Sequence, residues 1–141
     1  MALKRVICAG FAAAVSVVLA GCPSSGVPRL GDPLVLAVGD TTTIPDLNLW
    51  LRFRQVAFDS RCPSQSLSCP SLGDAAVVIE IVPFLGESSI DTLHTTLDPQ
   101  SATVGLVEVR LARLDPYPVT AGSIPTRDYR ATLITQEVPT N

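Results

Sequence analysis

Leu47-Asn48-Leu49-Trp50-Leu51-Arg52-Phe53-Arg54, running on into Gln55-Val56-Ala57-Phe58-Asp59, is the stretch that decides the fold. Leu47, Leu49, Leu51 and Phe53 alternate with Asn48, Trp50, Arg52 and Arg54. A period of two puts the leucines on one face of a β-strand and the polar residues on the other. At Gln55 the phase slips by one, and Val56 and Phe58 become the apolar set. Such a slip predicts a β-bulge, or a bend where the chain passes between sheets.

The same pattern extends in both directions. Upstream, Leu34–Val38 is a short apolar run ended by Gly39-Asp40. Downstream, Ala75–Val82 is apolar on both parities except at Glu80, as a covered central strand would be, and Pro83 ends it. Asp91–Leu97, Val104–Leu114 and Asp128–Thr135 follow, with turn residues at intervals of roughly ten. No long segment beyond the N-terminus keeps a helical period. The expectation is an all-β chain with one domain over residues 34–137, of about six to seven strands. A β-sandwich with Greek-key connections, or a flattened barrel, fits that pattern. Residues 138–141 read as a tail.

The N-terminus has a different character. Lys4 and Arg5 precede an apolar run from Val6 to Ala20. That is the charged-then-apolar order of a secretory signal, and it is short for a span, which takes about 20 apolar residues. Leu19-Ala20-Gly21-Cys22 resembles a lipobox, the processing motif of bacterial lipoproteins. The resemblance implies removal of residues 1–21, acylation of Cys22 and attachment to a membrane of the cell envelope. Each acyl CH2 buried in lipid contributes about 0.8 kcal/mol, so several chains are needed for a lasting anchor. Pro23, not aspartate, follows the cysteine, which favours the outer membrane over the inner. Residues 22–33, rich in Pro, Gly and Ser, read as a flexible tether.

Composition narrows the function. Without Lys4 and Arg5 the chain carries 8 basic and 13 acidic residues and no lysine. A mildly acidic surface without basic clusters argues against nucleic acid as a partner. The lack of lysine rules out Schiff-base chemistry in the mature chain. A single histidine, His94, cannot supply a two-histidine metal site. No nucleophile-elbow pattern is present, and neither a metal nor a cofactor is expected.

Of four cysteines, Cys8 leaves with the signal and Cys22 takes lipid, so Cys62 and Cys69 are left to pair in an oxidising compartment. Their ring of eight residues is worth roughly 2.5 kcal/mol by loop entropy.

Several segments together resemble a type of secreted or lipid-anchored bacterial β-domain. They are Asp59-Ser60-Arg61-Cys62-Pro63, then Cys69 and Gly73, then Leu114-Asp115-Pro116-Tyr117-Pro118, and Ile124-Pro125 leading to Asp128-Tyr129-Arg130-Ala131-Thr132-Leu133. The resemblance spans residues 34–135 and implies the same disulfide and domain limits. In that type Val-Trp-Ala-Gly follows the second cysteine. Here Pro70-Ser71-Leu72-Gly73 follows it, so Ser71 stands at the tryptophan position.

Two groups are candidate binding residues. Ser64, Gln65, Ser66 and Leu67 lie inside the disulfide ring. A small constrained ring loses little entropy on binding, and constrained loops are how many protease inhibitors present an anchor side chain such as Leu67. The same ring is also what a structural staple at a strand end looks like. Trp50, Arg52 and Arg54 share one face of the decisive strand, as an aromatic-basic stripe for a protein or glycan or as arginine stems covering Trp50. His94 reads as a half-exposed strand residue. The function expected is a lipid-anchored envelope protein whose β-domain binds or scaffolds another envelope component without catalysis. The alternative is an envelope protease inhibitor acting through the Cys62–Cys69 loop.

Overall fold

The computed structural model describes residues 27–138. The expected signal segment, the expected lipidation site Cys22, the first part of the expected tether and residues 139–141 lie outside them. Eight strands are present among the described residues: β1 (Pro33–Ala37), β2 (Thr41–Ile44), β3 (Leu49–Asp59), β4 (Ala75–Pro83), β5 (Ser89–His94), β6 (Ser101–Val104), β7 (Val107–Asp115) and β8 (Arg130–Glu137). They form two antiparallel sheets, β1-β8-β7-β6 and β2-β3-β4-β5. The molecule is the expected all-β sandwich. Its connections differ from the Greek key of the sequence reading. Every bonded neighbour is consecutive in the chain except β1 and β8, so the chain leaves the first sheet after β1, runs in order through β2 to β5 of the second and returns to the first with β6 to β8. Short connections such as Gly39-Asp40 and Gly105-Leu106 favour this, because they leave no length for a strand to be skipped.

Two short strands account for the higher count. β2 is Thr41-Thr42-Thr43-Ile44, in which only Ile44 is buried, so it lacks the apolar alternation of a longer strand. The run from Val104 to Leu114 is two strands joined at Gly105-Leu106. Gly105 has φ +62°, a conformation glycine adopts without steric cost and a tight hairpin requires.

Inward-facing side chains of both sheets make one core. Leu34, Leu36, Val109, Leu111, Ala131 and Leu133 meet Ile44, Leu51, Phe53, Val77, Ile79, Ile81 and Leu93. Each large side chain buried here stabilises by roughly 1.5–3 kcal/mol against exposure. Thr135 is the exception, a fully buried residue whose hydroxyl has no partner among the described residues.

The phase slip in β3 is a bulge. Phe53 pairs with Ile79 and Gln55 with Val78, so Arg54 is left without an opposite residue, and a second slip falls between Val56 and Phe58. Beyond the first bulge the exposure of β3 rises.

The last part of the expected tether is docked on the domain. Asp32 N–H donates to the Arg29 carbonyl at 3.1 Å and Gly31 N–H to the Thr135 carbonyl at 2.9 Å. Val27 and Pro28 lie beside Val35, Leu36 and Thr42 at the open side between β1 and β2.

Candidate binding site

Every segment quoted above for the family resemblance converges on one end of the sandwich, where β3, β7 and β1 finish and β4 and β8 start. Its centre is Arg61. β3 ends at Asp59, and two residues later the chain turns so that Arg61 points back under the strand ends, where it is 7% exposed. Its Nε–H donates to Asp59 Oδ1 at 2.9 Å and Nη2–H to Asp59 Oδ2 at 2.7 Å. Nη1–H donates to the Leu114 carbonyl at 2.6 Å and Nη2–H to the Pro116 carbonyl at 2.9 Å. The guanidinium also lies 5.2 Å from the centre of the Tyr117 ring, a cation–π contact. Only Arg offers donors in this planar fork. A single buried side chain therefore ties the end of β3 to the end of β7.

Asp59 is held from the other side by Tyr129, whose hydroxyl donates to Oδ2 at 3.0 Å. Burial alone would raise the Asp59 pKa, but hydrogen bonds and charge from Arg61, with the Tyr129 hydroxyl, outweigh it and hold the carboxyl below its ordinary value. For Tyr129 burial and the Asp59 carboxylate act together, and its hydroxyl is pushed up to about 12.

Gly73 closes the same corner. It has φ +69°, and a Cβ there would lie 2.0 Å from the Ser60 carbonyl oxygen. Only glycine fits so close to another backbone. The adjoining Asp74 is buried and gathers a second network. It accepts Thr96 N–H at 2.9 Å and Thr95 Oγ1–H at 3.1 Å, and lies 2.5 Å from His94 Nδ1. Burial pushes its pKa up, but the bonds from His94, Thr96 and Thr95 prevail and lower it. His94 is therefore a structural partner of Asp74, with Phe58 at 6.1 Å between ring centres on its other flank.

Cys62 and Cys69 form the expected disulfide, with Cα atoms 6.0 Å apart. The ring is fastened to the long β7–β8 connection: Ser64 N–H donates to the Pro118 carbonyl at 2.9 Å and Gln65 N–H to the Val119 carbonyl at 3.0 Å. Ser66 N–H folds back to the Pro63 carbonyl at 2.9 Å. Leu67 at the tip is wholly exposed, and Leu72, Leu97, Tyr117 and Val119 are exposed at the same end. Beside them a cavity of about 310 Å³ is walled by Arg61, Leu72, Thr95, Leu111, Leu114 and Tyr117. Ser71 lines a neighbouring hollow of about 400 Å³ with Leu72, Gly73 and Leu97.

The second candidate group lies elsewhere. Trp50 sits near the start of β3, half-buried on the outer face between Thr43 and Val82. Arg54 is paired with Glu80 at 3.2 Å, while Arg52 is exposed beside them. The fold thus keeps this stripe apart from Ser64–Leu67. The Arg61 network was not foreseen from residue types. The signal was the Asp59-x-Arg61 spacing, which lets one side chain fork onto the other.

Compared with known proteins, the chain matches no family model, no curated protein and no solved structure.

Proposed function

We propose that this chain is a lipid-anchored protein of the bacterial cell envelope, tethered through Cys22, whose β-domain binds another envelope component at the disulfide end without catalysing a reaction. The observation that carries the reading is the grouping of Leu67, Leu72, Leu97, Tyr117 and Val119, all exposed, around a frame fixed by the Arg61 network and the Cys62–Cys69 ring. Exposed apolar side chains gathered on one rigid rim mark an interaction site more than scattered ones do, and a frame already ordered loses little entropy on binding. The resemblance of Leu19-Ala20-Gly21-Cys22 to a lipobox and the Cys62–Cys69 disulfide support that compartment.

The test is capture of partners by cross-linking from whole envelopes of the producing bacterium, using the full mature chain. A Leu67→Ser/Leu72→Ser variant is expected to lose the partner, while Trp50→Ala keeps it. Loss with Trp50→Ala alone would move the site to the outer face of β3. A protease as the captured partner, dependent on Leu67, would favour the inhibitor reading instead. No cross-link in any form would remove the binding reading.

A further inference from the structure

The opposite end of the sandwich also carries apolar side chains in the open, and they come from both sheets. The β4–β5 connection follows Pro83 with Phe84-Leu85-Gly86, and Phe84 and Leu85 are 80% and 86% exposed. Phe84 N–H donates to the Asn48 carbonyl at 2.6 Å, which fixes this tip beside the β2–β3 corner. In the other sheet the two-residue β6–β7 turn is Gly105-Leu106, with Leu106 60% exposed. Its carbonyl accepts Val138 N–H at 2.8 Å. Hairpin tips are ordinarily built from Gly, Asn, Asp and Ser, so two apolar tips at the same end of the sandwich are a departure that solubility alone would oppose.

Chain length says what covers them. Five residue steps separate Cys22 from Val27, a reach of roughly 18 Å when fully extended. Val27 lies beside Val35, Leu36 and Thr42. Thr42 pairs with Leu51, two residues above the start of β3 at Leu49, and Asp59 ends that strand eight residues further on. At the strand rise these are roughly 7 Å and 26 Å. The acylated cysteine can therefore come level with the Phe84 tip, while the disulfide end lies beyond its reach.

We infer that Phe84, Leu85 and Leu106 form a second membrane contact, which seats this end of the domain on the lipid surface to which Cys22 is anchored and turns the disulfide end outward. The inference rests on the lipoprotein reading above. Asp32, Asp46, Glu87 and Glu137 stand around this end with Arg29, so the fitting surface is zwitterionic and not strongly anionic.

The experiment uses the full acylated mature chain in zwitterionic vesicles, half of whose lipids carry bromine on the acyl chain. Trp50→Phe supplies a background without tryptophan, into which Leu85→Trp, Leu106→Trp or Leu67→Trp is placed one at a time. All three positions are exposed, so each variant is expected to fold, which circular dichroism checks. Tryptophan at 85 and at 106 should be quenched at least threefold more than tryptophan at 67. Equal and weak quenching at all three positions, in protein that floats with the vesicles, would overturn the membrane contact and leave the anchor intact. Protein that carries no acyl chain and does not float would overturn the lipoprotein reading and this inference with it.

Discussion

Arg61 grips Asp59, only two residues before it, with a two-pronged hydrogen bond at 2.9 and 2.7 Å. The remaining donors of the same guanidinium reach across to the Leu114 and Pro116 carbonyls. A local pair in the chain thus becomes a long-range clamp between the two sheets. The charge pair is buried, so its two halves have very different worth together and apart.

Arg61→Met is therefore expected to destabilise the domain by about 3–5 kcal/mol, because it leaves the Asp59 carboxylate buried without its cation and two carbonyls without donors. Arg61→Lys should recover only part of that, since a point charge cannot serve three acceptors in a plane. Asp59→Leu combined with Arg61→Met should be less damaging than Arg61→Met alone. Urea unfolding of the four forms is the measurement, and equal midpoints for wild type and Arg61→Met would refute the clamp.

Stability should fall at both ends of the pH scale, for opposite reasons. Asp59 and Asp74 have pKa values below the ordinary 3.8 in the folded chain. The unfolded chain takes up their protons first, so their contribution is complete above about 3.8 and is lost as pH falls through the folded values. Tyr129 works the other way. Its hydroxyl is raised from 10 to about 12, so the unfolded chain loses the proton first. That contribution is complete below pH 10 and disappears between 10 and about 12. Tyr129→Phe should abolish this alkaline decline and lower stability at neutral pH by about 1.5–2 kcal/mol, the usual worth of a hydrogen bond to a charged group. Thermal midpoints between pH 2 and 12 for both forms would show it.

The strands and the bulge were legible because they are written in local alternation. Leu49, Leu51 and Phe53 point one way, and the slip at Gln55 is the same slip seen in the pairing of β3 with β4. β2 was not legible, because three threonines and one buried isoleucine carry no period. The hairpin at Gly105-Leu106 was hidden by apolar residues on both sides, which made β6 and β7 look like one strand. The pairing of Cys62 with Cys69 followed from counting. The joining of Asp59, Arg61, Tyr117 and Tyr129 did not, because hydrogen bonds over separations as large as 70 residues leave no periodic trace. Distance in space likewise separates Trp50 from the disulfide ring, although both lie on or next to β3.

Gly73 should tolerate no side chain. Gly73→Ala brings a Cβ to 2.0 Å from the Ser60 carbonyl oxygen at a φ of +69°. The left-handed conformation alone costs roughly 1–2 kcal/mol for a residue with a Cβ, and the clash with backbone adds to it. A loss of more than about 2 kcal/mol is expected, together with displacement of Asp74 and so of the His94 ring. Gly105→Ala, at a similar φ of +62° but with nothing within 4 Å of an added Cβ, is the control. A Gly73→Ala protein as stable as that control would show that the Ser60 loop shifts freely.

Opening the disulfide should cost stability without destroying the fold. Cys62→Ser/Cys69→Ser removes the closure of an eight-residue ring, worth roughly 2.5 kcal/mol. The ring's bonds to the Pro118 and Val119 carbonyls remain possible in the open form, and the Arg61 clamp does not depend on either sulfur. Far-ultraviolet circular dichroism should stay that of a sheet protein, while the urea midpoint falls. A collapse of the spectrum would mean that the ring, and not Arg61, holds this end together.

The last prediction runs in the opposite direction, towards greater stability. Thr135 lies on β8 opposite Val109, fully buried, with a hydroxyl that meets no partner among the described residues. A buried hydroxyl left without a hydrogen bond costs about 1–3 kcal/mol in lost hydration. Valine has nearly the same shape and no polar atom, and a β-branched residue suits the strand. Thr135→Val should therefore raise stability by about 1 kcal/mol, with the backbone bond from Gly31 N–H to the residue 135 carbonyl unaffected. Thr135→Ser is the useful contrast, because it keeps the hydroxyl and removes the methyl, and it should destabilise. If valine instead lowers the unfolding midpoint, the hydroxyl has a partner in solution, such as a buried water, and the interior beside β8 is wetter than an apolar core.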